Sequence, residues 1–407
     1  MLIPITATMP TAIQSDDSRH RQRLILPLEF AESTGGMLHS VELLVRQLAS
    51  HIECVVVAPA GSATAVRMQS GGAVVRETPS LRSWTIARAE PMLTYRTFRI
   101  VRRTIKSLLT NECVLLTNNI ASELICGLGT PFPHLTRLFI NRGNVYHGMS
   151  CRLLRHSLRS VAAVIATTPY QREAAVQQLG VRSDCVTTIP NAVPDELLLS
   201  ETPTERWSAH YGAITVGVVG YPSEGKNQEL LIQALHLLRE RYPALRAKII
   251  GSPGCRSDEL YLARLQQLAQ QLQLKSRVLF VPYQKDKIAL YRDLDIVVST
   301  SKREGFGRTI IEAMAMRRPV IALRAGGPEC IITHGRTGLL FDESDPRLLA
   351  DALSDTIENE GRTADVVARA YAEALGRYSE RAVGNQLLSL LESHRERAYA
   401  PKNFPVE

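Results

Sequence analysis

Short apolar runs alternate with longer amphipathic stretches along this chain, twice over, with one polar break between the two series. No other feature constrains the fold as much. Residues 24–28, 54–58, 114–117, 138–141, 162–167 and 186–190 read as buried strands, and 37–50, 93–109 and 170–179 read as helices. Residues 191–212 then lose any sustained period and carry Pro194 and Pro203. The alternation resumes with strands expected at 215–220, 248–251, 278–281, 296–299, 319–322 and 338–341, and helices at 227–241, 258–272 and 309–316. Strand–helix alternation argues for a parallel sheet covered on both faces. The expected architecture is therefore α/β, with two doubly wound, Rossmann-like domains facing each other across a cleft. Such sheets bind ligands beyond their strand C-termini, so the cleft is the natural site. The expected boundaries are an irregular extension over 1–22, a first domain over 23–195, a second over 196–378, and a terminal helix over 379–407 packing back on the first domain.

Charge and cysteine content narrow the function. The 407 residues carry 48 Lys and Arg against 40 Asp and Glu, a net +8. Residues 1–200 hold 20 basic and 14 acidic side chains, an excess of +6, which leaves +2 for the remainder. The partner of the first half is therefore expected to be anionic. The seven cysteines are scattered, with no C-x-x-C pair, which fits a reducing compartment. No apolar run reaches the roughly 18 residues that span a bilayer, and residues 1–23 lack the basic-then-apolar pattern of a signal peptide. A cytoplasmic protein is expected, peripheral on the inner face of a membrane.

Three segments carry chemistry. After the strand expected at 215–220 comes Gly220-Tyr221-Pro222-Ser223-Glu224-Gly225-Lys226-Asn227, which opens a helix. It nearly matches the nucleotide-triphosphate loop, but Asn227 stands where a hydroxyl would hold magnesium. What survives is an anion site built from backbone N–H groups and one ammonium, or a surface turn with Lys226 in solvent. Ser33-Thr34-Gly35-Gly36 is a weaker candidate of the same kind. The third segment sets Glu304 at a glycine loop and Glu312 in the following helix, neither fitting the apolar period around it. Two such acceptors fix the orientation of a sugar or ribose diol. Arg303 and Arg308 are alternative partners for them.

Glu304-x7-Glu312, with Gly305-Phe306-Gly307 after the first Glu and Ala313-Met314-Ala315 after the second, resembles the signature of glycosyltransferase family 4. Gly220 to Lys226, Gly326-Gly327-Pro328-Glu329, Gly335 to Gly338, Ile189-Pro190-Asn191 and Gly35-Gly36 extend the likeness over roughly residues 24–380. The resemblance implies a retaining enzyme of the GT-B fold that uses a UDP-, GDP- or ADP-sugar, with no obligatory metal. It implies that Lys226 neutralises the donor diphosphate, Glu312 binds the ribose, and Glu304 binds the transferred sugar nearest the chemistry. Gly305, Phe306 and Gly307 would offer backbone N–H groups, Thr309 would complete the donor contacts, and Gly36 would let the first helix approach the diphosphate.

Some positions depart from that pattern. The family usually carries Arg just after Gly220, where Tyr221 and Pro222 stand here, so one phosphate cation is missing. On the acceptor side, Arg142-Gly143 occupies the place of a usual His, and His147 follows a few residues on. Arg142 and His147 are the candidate catalytic groups there, beside Glu304. A front-face mechanism, implied by the family, needs no separate base. Asp293-Leu294-Asp295 reads as capping or surface rather than metal binding, and Tyr283 is the candidate base contact.

Residues 81–110 hold seven basic groups and one acid. Arg96, Arg99, Arg102, Arg103 and Lys106 fall beside an apolar helical stripe. They form either a solvated face or a surface for anionic lipid headgroups. Aromatic residues are only 5% of the chain and no binding motif interleaves the basic groups, which argues against nucleic acid. The expected function is transfer of a sugar from a nucleotide donor to a glycan or lipid-linked acceptor, in surface polysaccharide, lipopolysaccharide or glycoconjugate synthesis. The alternatives are a P-loop-like NTPase and a catalytically idle sugar-nucleotide-binding protein.

Overall fold

The computed structural model describes residues 22–28, 36–78, 91–110, 113–128, 135–141, 148–200 and 214–399. The first sheet holds β1 (Arg23–Pro27), β2 (Glu53–Pro59), β3 (Val74–Thr78), β4 (Cys113–Thr117), β5 (Thr136–Asn141), β6 (Ala163–Ala166) and β7 (Val186–Thr188). Its order is β3-β2-β1-β4-β5-β6-β7 and every pairing is parallel. The second holds β8 (Thr215–Val219), β9 (Arg246–Ile250), β10 (Val278–Val281), β11 (Ile296–Ser299), β12 (Val320–Leu323) and β13 (Leu339–Phe341). Its order is β10-β9-β8-β11-β12-β13, again parallel. Both are doubly wound, as the alternation predicts.

The apolar runs became strands because helices cover them on both faces. Leu24, Leu26, Val56, Leu116, Leu138 and Ile165 are fully or almost fully buried in one core with Leu38, Val41, Val45 and Leu48 of the Gly36–Leu48 helix. In the second sheet Val216, Val218, Ile249, Ile296 and Ile321 pack with Leu231 and Leu235 of the Glu229–Leu237 helix. β3 has no counterpart in the sequence reading. It is an edge strand whose side chains are mostly exposed, so it lacks the continuous apolar run of its neighbours. The helix expected over 227–241 spans Glu229–Leu237: Asn227, at a left-handed φ of 53°, delays its start, and residues 238–241 turn out of it.

The chain crosses between the sheets twice, side by side. Val193 N–H donates to the Tyr378 carbonyl at 2.8 Å. Asp195 N–H donates to Glu380 Oε1 at 3.0 Å, and Glu380 N–H returns to Asp195 Oδ1 at 3.1 Å. The Glu380–Tyr399 helix then lays Val383, Leu387 and Leu391 into the core of the first sheet, against the Gly36–Leu48 helix.

Among the described residues, no helix is long and apolar enough to cross a membrane. The basic stripe is only partly a surface. The Arg102 guanidinium donates to the carbonyls of Ile125, Cys126 and Leu128, the last at 2.7 Å, and so closes the C-terminus of the Ile120–Gly127 helix. Arg99, Arg103 and Lys106 are exposed. The Arg96 side chain lies outside the described residues. Asp295 accepts from Thr215 N–H at 2.8 Å and Asp293 pairs with Lys248 at 3.3 Å, so both acids have local structural tasks.

Candidate active site

Strand order reverses beside β8, so the loops after β8 and β11 diverge from neighbouring strand ends and leave a crevice between them. The β8 loop turns at Gly220 and passes directly over Gly251. A Cβ at Gly251 would stand 2.1 Å from the Gly220 carbonyl oxygen, a backbone atom that cannot swing away. Gly251→Ala is therefore expected to displace the loop and lower the thermal midpoint by roughly 2–8 °C. An unchanged midpoint would show that the crowding is not felt.

Backbone contacts bind the two loops into one body. Thr300 Oγ1 donates to the Lys226 carbonyl at 2.7 Å, and Lys302 N–H donates to the Gly225 carbonyl at 2.9 Å. Gln228 is fully buried, and its side-chain amide donates to the Tyr221 carbonyl at 3.0 Å. On this base Lys226 Nζ reaches Glu304 Oε2 at 2.7 Å, with Ser301 Oγ on the same oxygen at 3.1 Å. Lys226 also lies 6.0 Å from the Tyr221 ring centroid, in cation–π range. Glu304 is held by its own backbone: its N–H donates to Ala325 O at 3.0 Å, and Gly327 N–H donates to its carbonyl at 2.8 Å. Phe306 is buried with its ring edge-on to Tyr378, and Gly307, at φ 103°, turns the chain into the Arg308–Ala315 helix.

Glu312 lies in that helix and is 4% exposed. Its Oε1 accepts from Lys287 Nζ and, at 2.8 Å, from Arg308, while its Oε2 accepts from the Tyr291 hydroxyl at 2.9 Å. Burial pushes the Glu312 carboxyl up, but Lys287 and Arg308 outweigh it and hold the pKa at about 2. Burial lowers Lys287, and Arg308 adds to this against the attraction of Glu312. Of the two arginines considered as partners for the acids, Arg308 takes that place.

A third group faces this cluster from the other sheet. His39, in the Gly36–Leu48 helix, meets Glu42 at 3.2 Å and feels Lys287 and Arg308 across the cleft. Burial is the main cause of its lowered pKa, and those two cations add to it. Glu42 in turn pairs with Arg67. Tyr283, raised by burial, senses Glu312, Arg308 and Arg67. His39, Lys287 and Arg67 were not singled out in the sequence. Glu312, Arg308 and Tyr283 are the members of this cluster that the sequence had marked. Gly36 begins the helix that carries His39, and Thr309 is the second residue of the helix that carries Glu312. Arg142 and His147 lie outside the described residues. Among the described residues no cluster of His, Cys, Asp and Glu has the makings of a metal site.

Two family models tile the chain. Residues 34–197 match Glycosyltransferase Family 4 and residues 207–373 match Glycosyl transferases group 1. A D-inositol 3-phosphate glycosyltransferase of Corynebacterium urealyticum is 30% identical over 198 residues, 48% of this chain and 46% of that protein. The mannosylfructose-phosphate synthase of Agrobacterium fabrum is 28% identical over 250 residues, 59% of this chain and 55% of that protein. The matched stretch thus spans about half the length of these relatives. The fold of Anabaena HepE, solved with UDP and glucose, matches at a TM-score of 0.77 and 21% identity, covering 92% of this chain and 100% of that one. With two parallel α/β units of the GT-B type and two adjoining family models over them, the chain belongs to the family 4 glycosyltransferases.

Proposed function

We propose that the chain transfers a sugar from a nucleoside-diphosphate donor to a hydroxyl acceptor, with retention of anomeric configuration. One observation carries this reading. Lys226 and Glu304, 78 residues apart, meet at 2.7 Å at the strand-order reversal, where this fold class binds ligands. On this reading residues 196–378 bind the donor and residues 23–195 bind the acceptor. Lys226 neutralises the diphosphate, Gly305, Phe306, Gly307 and Thr309 surround it, Glu312 takes the ribose, and Glu304 takes the transferred sugar. The leaving diphosphate gains charge as the bond breaks, and a fixed cation beside it stabilises that state. Gly36 brings the first helix to the phosphates, and Arg142 and His147 serve the acceptor side.

The donor is expected among UDP-, GDP- and ADP-sugars, UDP being the nucleotide bound by HepE. A thermal-shift series over the three classes tests this, since a ligand bound only by the folded state raises its stability. A single class is expected to raise the midpoint, followed by transfer of its labelled sugar. No shift with any class would overturn the donor reading. A shift without transfer or hydrolysis would favour the idle alternative.

The proposed acceptor is a glycan or lipid-linked glycan, with Arg99, Arg103 and Lys106 on anionic headgroups. Arg103→Glu with Lys106→Glu is expected to reduce cosedimentation with phosphatidylglycerol vesicles several-fold at low salt. Equal cosedimentation of parent and variant would reject the surface. A second reading is a small phosphorylated acceptor. The D-inositol 3-phosphate named for one relative and the +6 excess of residues 1–200 both favour it.

A further inference from the structure

Glu312 already accepts three hydrogen bonds before any ligand is considered, out of roughly four that a carboxylate can take, so too little remains for both hydroxyls of a diol. Lys287 and Arg308 converge on its Oε1, and Tyr291 occupies its Oε2. At 4% exposure the carboxylate is closed off from bulk solvent. A ribose diol needs acceptor lone pairs aimed at it. The present contacts and the proposed ribose contact are compatible if the ligand brings an acceptor of its own for one of the two cations. A nucleoside diphosphate does so, through its phosphate oxygens.

We infer that Arg308, with Lys287 beside it on the same carboxylate oxygen, is a phosphate-binding cation of the donor site, held on Glu312 until a nucleoside diphosphate draws it across and frees that carboxylate for the ribose hydroxyls. The inference rests on the donor reading above.

Arg308 is placed for the exchange. It is the first residue of the Arg308–Ala315 helix, whose N-terminal end favours an anion, and Gly307 precedes it at φ 103°. Its planar fork presents several N–H groups, enough to hold a phosphate once it turns away from Glu312. Lys287 is the fixed member. Asp286 caps its helix, Lys287–Arg292, by accepting from Ala289 N–H at 3.0 Å. Glu196 from the crossing segment is a weaker electrostatic neighbour of Lys287.

The electrostatics agree with this geometry. Lys287 stays below its ordinary range, through burial and Arg308, in spite of Glu312. His39 of the facing domain is lowered through burial and, more weakly, by these same two cations, so their field reaches the cleft. An anion entering there relieves both effects.

The test is calorimetric titration of the parent, Arg308→Gln and Arg308→Lys with UDP, GDP and ADP, and with the matching nucleosides. The parent is expected to bind one diphosphate. Arg308→Gln is expected to weaken that diphosphate at least tenfold while leaving its nucleoside within twofold, and Arg308→Lys to recover to within threefold of the parent. A purely structural role predicts equal losses for diphosphate and nucleoside, and that result overturns the inference. So does diphosphate binding by Arg308→Gln within twofold of the parent. Should Arg308→Gln not fold, Lys287→Met carries the same contrast. Failure of the parent to bind any of the three diphosphates overturns the donor reading, and this inference with it. Binding that the variants do not alter overturns the inference alone.

Discussion

Lys226→Ala is expected to lower kcat/KM for sugar transfer by about two to three orders of magnitude, the range seen when one fixed group that stabilises a developing anion is removed. Two effects act together. The leaving diphosphate loses its cation, and Glu304 loses the partner 2.7 Å away that offsets its charge. The phosphate then meets an uncompensated carboxylate. The fold should be nearly indifferent. The Lys226 side chain is 25% exposed, and the loop beneath it is held by contacts of Thr300, Lys302 and Gln228 that the substitution leaves in place. Steady-state kinetics with a labelled donor, beside a thermal melt, check the expectation. Turnover within threefold of the parent would remove Lys226 from the chemistry.

Glu312→Ala should act on stability as well as on activity. It leaves Lys287 and Arg308, each partly buried with a side chain 15% exposed, without their shared carboxylate. Breaking a buried pair from one side costs about 3–5 kcal/mol. The pH dependence has a definite sign. The Glu312 carboxyl lies at about 2 in the folded chain against a reference of 4.5. A depressed carboxyl contributes stability that is present above the unfolded value and is lost as pH falls through the folded one. The shift corresponds to roughly 3 kcal/mol. The stability gap between parent and Glu312→Ala should therefore be full at pH 7, narrow below pH 4.5, and nearly close by pH 2. Urea denaturation, read from the transition of the domain that carries Glu312, measures it, since a two-domain chain need not unfold in one step. A gap below about 1 kcal/mol at pH 7, or one that does not narrow in acid, would reject this account of the cluster.

Much of the fold was legible because a strand buried on both faces needs a continuous apolar run, and that requirement is written locally. Residues 278–281 and 296–299 were placed to the residue for this reason. β3 was not, because an edge strand with exposed side chains need not be apolar. The helices Ala63–Ser70, Ile120–Gly127 and Gly148–Leu158 were also unread, two of them only eight residues long. Arg102 was placed correctly on its helix but with the wrong destination. Its helix shows an apolar stripe and a basic flank, and nothing local reveals that a second helix ends against that flank.

By itself the sequence determined that two parallel, doubly wound sheets would form, that Lys226 and Glu304 would lie in loops after strands of the second, and that Glu312 would lie in the helix after Glu304. Period, burial and loop chemistry act over a few residues and need no knowledge of the rest of the chain. Only the tertiary structure decided what those three side chains touch. Strand order β10-β9-β8-β11 sets the loops of residues 226 and 304 side by side, although the chain between them is 78 residues long. The same packing brings Lys287 and Tyr291 from a neighbouring helix onto Glu312, and His39 from the other sheet to face them. Ion pairs and their pKa shifts depend on distance and on exclusion of water, and both are properties of the assembled fold.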